Sequence, residues 1–200
     1  MDASSRRAFL GTSLASLAGA TLCEGGKKKL KGEMPVAVIP DLGLSTLFLT
    51  WQRDPTTTMT VQWIGATRTP AESTISFTKV GVQECQRQPA LCKPFPLSNC
   101  QAYRAELTGL TPGTDYQFTV GSQSPTYRFR TMPAKGTDTI QFISGGDCGV
   151  NEHTVANNIQ AARQDPHFAI IGGDLAYDNG VFAHIFLEFM QNYSRHMVTK

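Results

Sequence analysis

Two aspartates framed by glycine carry the chemistry this 200-residue chain offers. Gly145-Gly146-Asp147-Cys148-Gly149 follows one apolar run, and Gly172-Gly173-Asp174-Leu175-Ala176-Tyr177 follows another. An aspartate after a strand, taken singly, is readily a turn or helix-cap residue. Two carboxylates at neighbouring strand ends are different, because they repel unless a cation lies between them. Glycines on both sides let backbone approach closely and leave room for an ion. Carboxylate and phenol oxygens are hard ligands, suited to Fe3+, Mn2+ or Zn2+ rather than Cu+. With Asp174 bridging two ions, the arrangement would stabilise the attacking and leaving oxygens of phosphoryl hydrolysis.

The elements that must position these residues are legible on either side. Residues 139–144 read as an apolar strand running into the first aspartate. From Glu152 to Arg163, Val155, Ile159 and Ala162 recur at helical spacing, and Asp165-Pro166 ends that helix. Residues 168–171 form a second apolar, buried strand. Strand, helix, strand predicts a parallel pair with a right-handed crossover, with both aspartates just past the carboxyl ends, where open α/β sheets bind ligands. Asp178-Asn179-Gly180 reads as a turn after the ligand loop, and an amphipathic helix is expected over residues 181–197.

Upstream the pattern changes to period two. Residues 47–51, 59–63, 75–77, 103–107, 116–120 and 127–131 read as short strands, with Trp51 and Trp63 as core residues. Pro112-Gly113 sets a turn, after which Tyr116, Phe118 and Val120 share one face. Cys85, Cys92 and Cys100 cluster between strand-like segments. One bridge among them is expected in an oxidising compartment, with the pairing open. A zinc cluster there lacks a nearby fourth ligand. Cys148 reads as a small buried filler.

Residues 107–120 resemble the E–F corner of fibronectin type III domains, in which a tyrosine hydroxyl ties the corner to upstream backbone; the resemblance gives that role to Tyr116. Asp147-Cys148-Gly149 resembles the D-x-G motif of purple acid phosphatases, and Gly173-Asp174-Leu175-Ala176-Tyr177 resembles their G-D-x-x-Y motif. The wider calcineurin-like metallophosphoesterases carry D-x-H in the first position, where this chain has Gly149. The resemblance implies a binuclear centre of Fe3+ with Fe2+, Zn2+ or Mn2+, acting on phosphate monoesters. Asp147 would bind the ferric ion, Asp174 would bridge, and Tyr177 would bind the ferric ion as phenolate. The expected fold is β + α/β: a fibronectin III-like β-sandwich over residues 44–133, then a truncated α/β metallophosphoesterase domain over residues 138–200.

The family's histidine motifs, G-N-H-[DE], V-x-x-H and G-H-x-H, are absent, and His153, His167, His184 and His196 match none of them. No catalytic residue is therefore assigned, and weak metal binding with little turnover is expected. Two other functions stay open. The chain is either an exported fibronectin III-like binding or adhesion module with a residual α/β segment, or a half completed by another chain.

The N-terminus reads as an address. Ser5-Arg6-Arg7-Ala8-Phe9-Leu10 and the small, weakly apolar stretch that follows resemble a twin-arginine signal, cut after Ala20. That gives a signal over residues 1–20, a linker over 21–43, and a periplasmic or extracellular destination. Leu22 sits where a lipoprotein anchor at Cys23 would want a small residue. Residues 34–200 hold 12 Lys/Arg against 13 Asp/Glu, so the net charge of +2 comes from the run at Lys27, Lys28, Lys29 and Lys31. No body-wide basic face suggests nucleic acid. No apolar run reaches the roughly 18–20 residues needed to span a bilayer.

Overall fold

A computed structural model describes residue 36 and residues 38–136, 139–178 and 182–197. The expected export signal, Cys23, the lysine run and Asn179-Gly180 lie outside the described residues. In chain order the strands are β1 (Phe48–Thr50), β2 (Met59–Gly65), β3 (Thr74–Lys79), β4 (Gln86–Pro89), β5 (Leu91–Pro94), β6 (Gln101–Leu107), β7 (Asp115–Val120) and β8 (Tyr127–Arg130). There follow β9 (Phe142–Gly145), helix α1 (Glu152–Arg163), β10 (Phe168–Ile171) and helix α2 (Ala183–Met197).

The first eight strands make two antiparallel four-stranded sheets, ordered β1-β2-β6-β5 and β4-β3-β7-β8. Alternation decides which side chains meet between them. Val61, Trp63, Ile75, Leu107 and Phe118 are fully buried and share one core. Trp63 stacks on Tyr103 at 5.0 Å, and Tyr116 stacks on Phe129 at 5.3 Å. Both tyrosines spend their hydroxyls on backbone. The Arg68 amide donates to Tyr103 Oη at 2.7 Å, and the Thr111 amide donates to Tyr116 Oη at 2.9 Å. At Gly121, φ is +63° and an added Cβ would fall 2.8 Å from the Glu72 carbonyl oxygen, so only glycine closes the turn after β7.

Strands β4 and β5 carry no apolar alternation and were not expected. They hold the two sheet edges with exposed side chains, and their backbone bonds to β3 and β6 define them. The expected disulfide is not there: Cys85, Cys92, Cys100 and Cys148 are all free. Cys85 and Cys92 are exposed while Cys100 is buried, so the three thiols lie in different environments. Trp51 is partly buried at the edge of the core, with its ring edge-on to Phe168 at 5.6 Å.

β9 and β10 are parallel, pairing Phe142 with Phe168 through to Gly145 with Ile171. Pairing sets β9 three residues later than the apolar pattern suggested, because β10 offers no partner before Phe168. The two strands are not buried as expected: Phe142 is 53% and Ile170 46% exposed. A two-stranded sheet cannot cover both of its own faces. Helix α1 has the expected bounds, and Asn151 Oδ1 caps it by accepting from the Thr154 amide at 3.0 Å. Its buried positions are Thr154 and Asn158, one residue off the Val155–Ile159 stripe.

Helix α2 ties this segment to the sandwich. Leu187 packs with Ile64 and Cys100, and Phe186 stacks on Phe95 at 5.9 Å. Gln191 Nε2 donates to Ser45 Oγ at 2.9 Å.

Candidate metal centre

The register of β9 and β10 brings Gly145 beside Ile171, so the two glycine-framed loops leave the sheet side by side. They are then laced together. Gly172 N–H donates to Gly145 O at 2.8 Å, Cys148 N–H to Asp174 O at 2.9 Å, and Gly149 N–H to Leu175 O at 2.8 Å. The Thr154 hydroxyl donates to the Cys148 carbonyl, fastening the first loop to the start of α1. Beneath, Ala176 is buried against Phe189 and Met190 of α2, with Cys148, Val150, Leu175 and Tyr193 around it. Apolar residues thus anchor the loops, while Asp147, Asp174 and Tyr177 stay exposed.

All three of these residues have left-handed backbones, with φ of 51°, 48° and 54°. Only five described non-glycine residues have positive φ, and the other two are Leu97 and Asp165. Aspartate tolerates this region; for a tyrosine it is a strained conformation, costing of order 1–3 kcal/mol. The laced loops and the buried Ala176 supply the constraint that holds it. Gly149 has φ +70°, and a Cβ there would stand 3.8 Å from the Tyr177 ring. A histidine at that position, as in a D-x-H motif, would need a strained backbone beside the phenol.

The Tyr177 hydroxyl donates to Asp147 Oδ1. This bond, then desolvation and the charges of Asp147 and Asp174, pushes the phenol up to about 12. Asp174 therefore acts on Tyr177 through its charge, and touches the first loop through its carbonyl. Burial pushes the Cys148 thiol up, with Asp147 adding to it.

The histidines lie elsewhere. His153 is exposed in the first turn of α1, and His184 and His196 lie on α2. His167 exchanges contacts with the Gln141 backbone, its ring accepting from the Gln141 amide at 3.2 Å. Among the described residues no group of three His, Cys, Asp or Glu is placed to hold a metal ion. The donor set itself fits a hard cation: a phenol and a carboxylate in direct contact, with a second carboxylate acting on the phenol, and no soft ligand required. It does not supply the nitrogen ligands of a second ion.

Sequence spacing pointed to the three side chains but not to what fixes them. The left-handed backbones, the lacing and the Thr154 hydroxyl follow from pairing two loops distant in sequence, and no local signal announces them. The local hint was the glycine pair before each aspartate, at the end of an apolar run.

Residues 45–131 match the family profile of the purple acid phosphatase N-terminal domain. Among solved structures, the chain is similar to a purple acid phosphatase from yellow lupin (Lupinus luteus) seeds, with a TM-score of 0.61 at 17% identity. The match covers 74% of this chain and 32% of that one, so the chain spans about a third of the lupin protein's length. It covers more of the chain than all residues up to 131 contain, and therefore reaches past the sandwich. At this identity the likeness is one of fold. No curated protein sequence matches the chain.

Proposed function

We propose that the chain, whose residues 45–131 match the purple acid phosphatase N-terminal domain, carries the first part of the metal centre of a metal-dependent phosphoric monoester hydrolase. The observation that carries this reading is the contact of Tyr177 with Asp147 at the carboxyl edge of a parallel strand pair, with the Asp174 charge acting on the same phenol. In this reading residues 44–133 are the accessory β domain and residues 138–200 the start of the catalytic one. Asp147 and Tyr177 would hold a ferric ion, with Asp174 as the carboxylate shared with a second ion, Fe2+, Zn2+ or Mn2+. Bound ions of this kind acidify water and neutralise phosphoryl oxygens. The chain's own residues position those ligands: Cys148 and Gly149 amides hold the loops in register, and Thr154 clamps the first loop. Export through residues 1–20, with a cut after Ala20, belongs to the same proposal, and the mass of the exported protein checks it. Among the described residues no helix is long and apolar enough to cross a membrane.

Elemental analysis after loading with Fe3+ and Zn2+, paired with p-nitrophenyl phosphate hydrolysis, tests the proposal. Iron should be retained by the wild type and lost in D147N and D174N, with turnover near background because histidine donors do not reach the site. Retention of iron by both variants would remove the proposed ligands. Iron-free wild-type protein would leave the β domain as the functional unit, an exported binding module. Stoichiometric metal with full turnover would contradict the shortage of ligands.

A further inference from the structure

A second site lies away from the two ligand loops. The last turn of α2 and the sandwich loops around residues 42–45, 68–72 and 121–127 line an open cleft of about 730 Å³. That volume is within the ~300–1,000 Å³ of small-molecule sites. None of its lining residues belongs to the loops that carry Asp147, Asp174 or Tyr177. We propose that this cleft binds a small phosphate-bearing ligand through Arg68 and Arg195.

The case rests on unmatched donors. Arg68 Nε is buried without a hydrogen-bond partner, a costly state for a charged group unless a ligand completes it. The same guanidinium reaches Asp41 through Nη2 at a long 3.4 Å, leaving most of its fork unspent. Arg195, exposed on the last turn of α2, has no salt-bridge partner among the described residues. The carboxylate on the wall, Glu72, is already engaged: its Oε2 accepts from both the amide and the hydroxyl of Thr69, each at 2.8 Å. Those bonds, the amide's first, hold its carboxyl below the usual range, and the Arg68 charge adds to this, so Glu72 offsets part of that guanidinium's charge. Ser122 and Ser194 add hydroxyls to the wall, and Tyr127 contributes a half-buried ring. Two guanidiniums lining one cleft can meet a tetrahedral oxyanion, which a planar fork binds through paired N–H groups. The ring offers an apolar surface for the ester portion of such a ligand. Free phosphate and a phosphate ester present the same headgroup. This inference stands independently of the metal centre.

Calorimetric titration of the whole chain, with chelator present and chloride held at equal ionic strength, tests it with two probes, inorganic phosphate and glucose 6-phosphate. Saturable binding is expected, weakened about 10-fold or more in R195Q and in R68Q, as for loss of one charge-assisted pair. D147N should bind as the wild type does. Tighter binding of the sugar phosphate would assign the cleft to an ester, and tighter binding of inorganic phosphate to the free ion. R195Q changes an exposed side chain and should retain the fold, which circular dichroism checks. Absence of saturable binding, or unchanged affinity in both arginine variants, would overturn the proposal. So would binding that disappears in D147N.

Discussion

Tyr116 illustrates how a single hydroxyl fixes a corner. Its ring is buried against Phe129, and its oxygen accepts the Thr111 amide, which would otherwise have no partner in the E–F turn. Tyr116→Phe keeps the ring and removes the acceptor, so the fold should survive with a loss of about 1–2 kcal/mol. A thermal melt of the variant against the wild type measures it. An unchanged midpoint would mean that water satisfies the amide. This role was readable from the Leu-Pro-Tyr spacing because a corner is local, and so was the placement of Asp147, Asp174 and Tyr177 just past two apolar runs. The left-handed backbone at all three was not readable, since it is imposed by loops 27 residues apart that meet only after β9 and β10 pair. The expected disulfide failed for a related reason. Export chemistry permits a bridge, but strand register decides which thiols meet, and Cys92 faces Tyr103 across the ladder.

At the scale of elements, periodicity located what is buried and missed what is not. Strands β2, β6 and β7 alternate because one face is core. Strands β4 and β5 are edge strands held by backbone bonds alone, so nothing in their side chains marks them. Helix α1 had its bounds marked by Asp165-Pro166 at one end, yet its buried face is the polar Thr154–Asn158 side. Its Thr154 hydroxyl is spent on the Cys148 carbonyl, a partner invisible in a helical wheel. The turn after β7 makes a sharper demand. Gly121→Ala places a Cβ 2.8 Å from the Glu72 carbonyl at a left-handed φ, and both the contact and the backbone act against it. A destabilisation of about 2 kcal/mol or more is expected in urea unfolding. A wild-type midpoint would show that the Glu72 segment yields freely.

Across the whole molecule, the sandwich has a closed core while the strand pair leaves Phe142 and Ile170 open to solvent. Helix α2 joins the two through Leu187 and also covers the loops that carry Asp147 and Asp174, with Tyr193 among the residues packed there. Burial, with the Cys148 charge adding to it, pushes the Tyr193 phenol up to about 12. The unfolded chain ionises this group near 10, so the fold favours the neutral phenol. Its contribution is complete below about pH 10 and is lost as pH rises toward about 12. Burial also raises Tyr103 and Tyr127. Tyr193→Phe should therefore flatten, without abolishing, the alkaline fall in melting temperature; a variant that falls as steeply as the wild type would place the titration elsewhere.

The metal-ligating role proposed for the loop edge is tested most directly by titrating the protein with Fe3+ and recording visible absorption. A phenolate bound to ferric iron gives a charge-transfer band that carboxylates alone do not. The band should grow with added iron in the wild type and be absent in both Y177F and D147N. A band of equal strength in Y177F, or iron taken up with no band at all, would contradict the assignment of Tyr177 and Asp147 as partners at one ion.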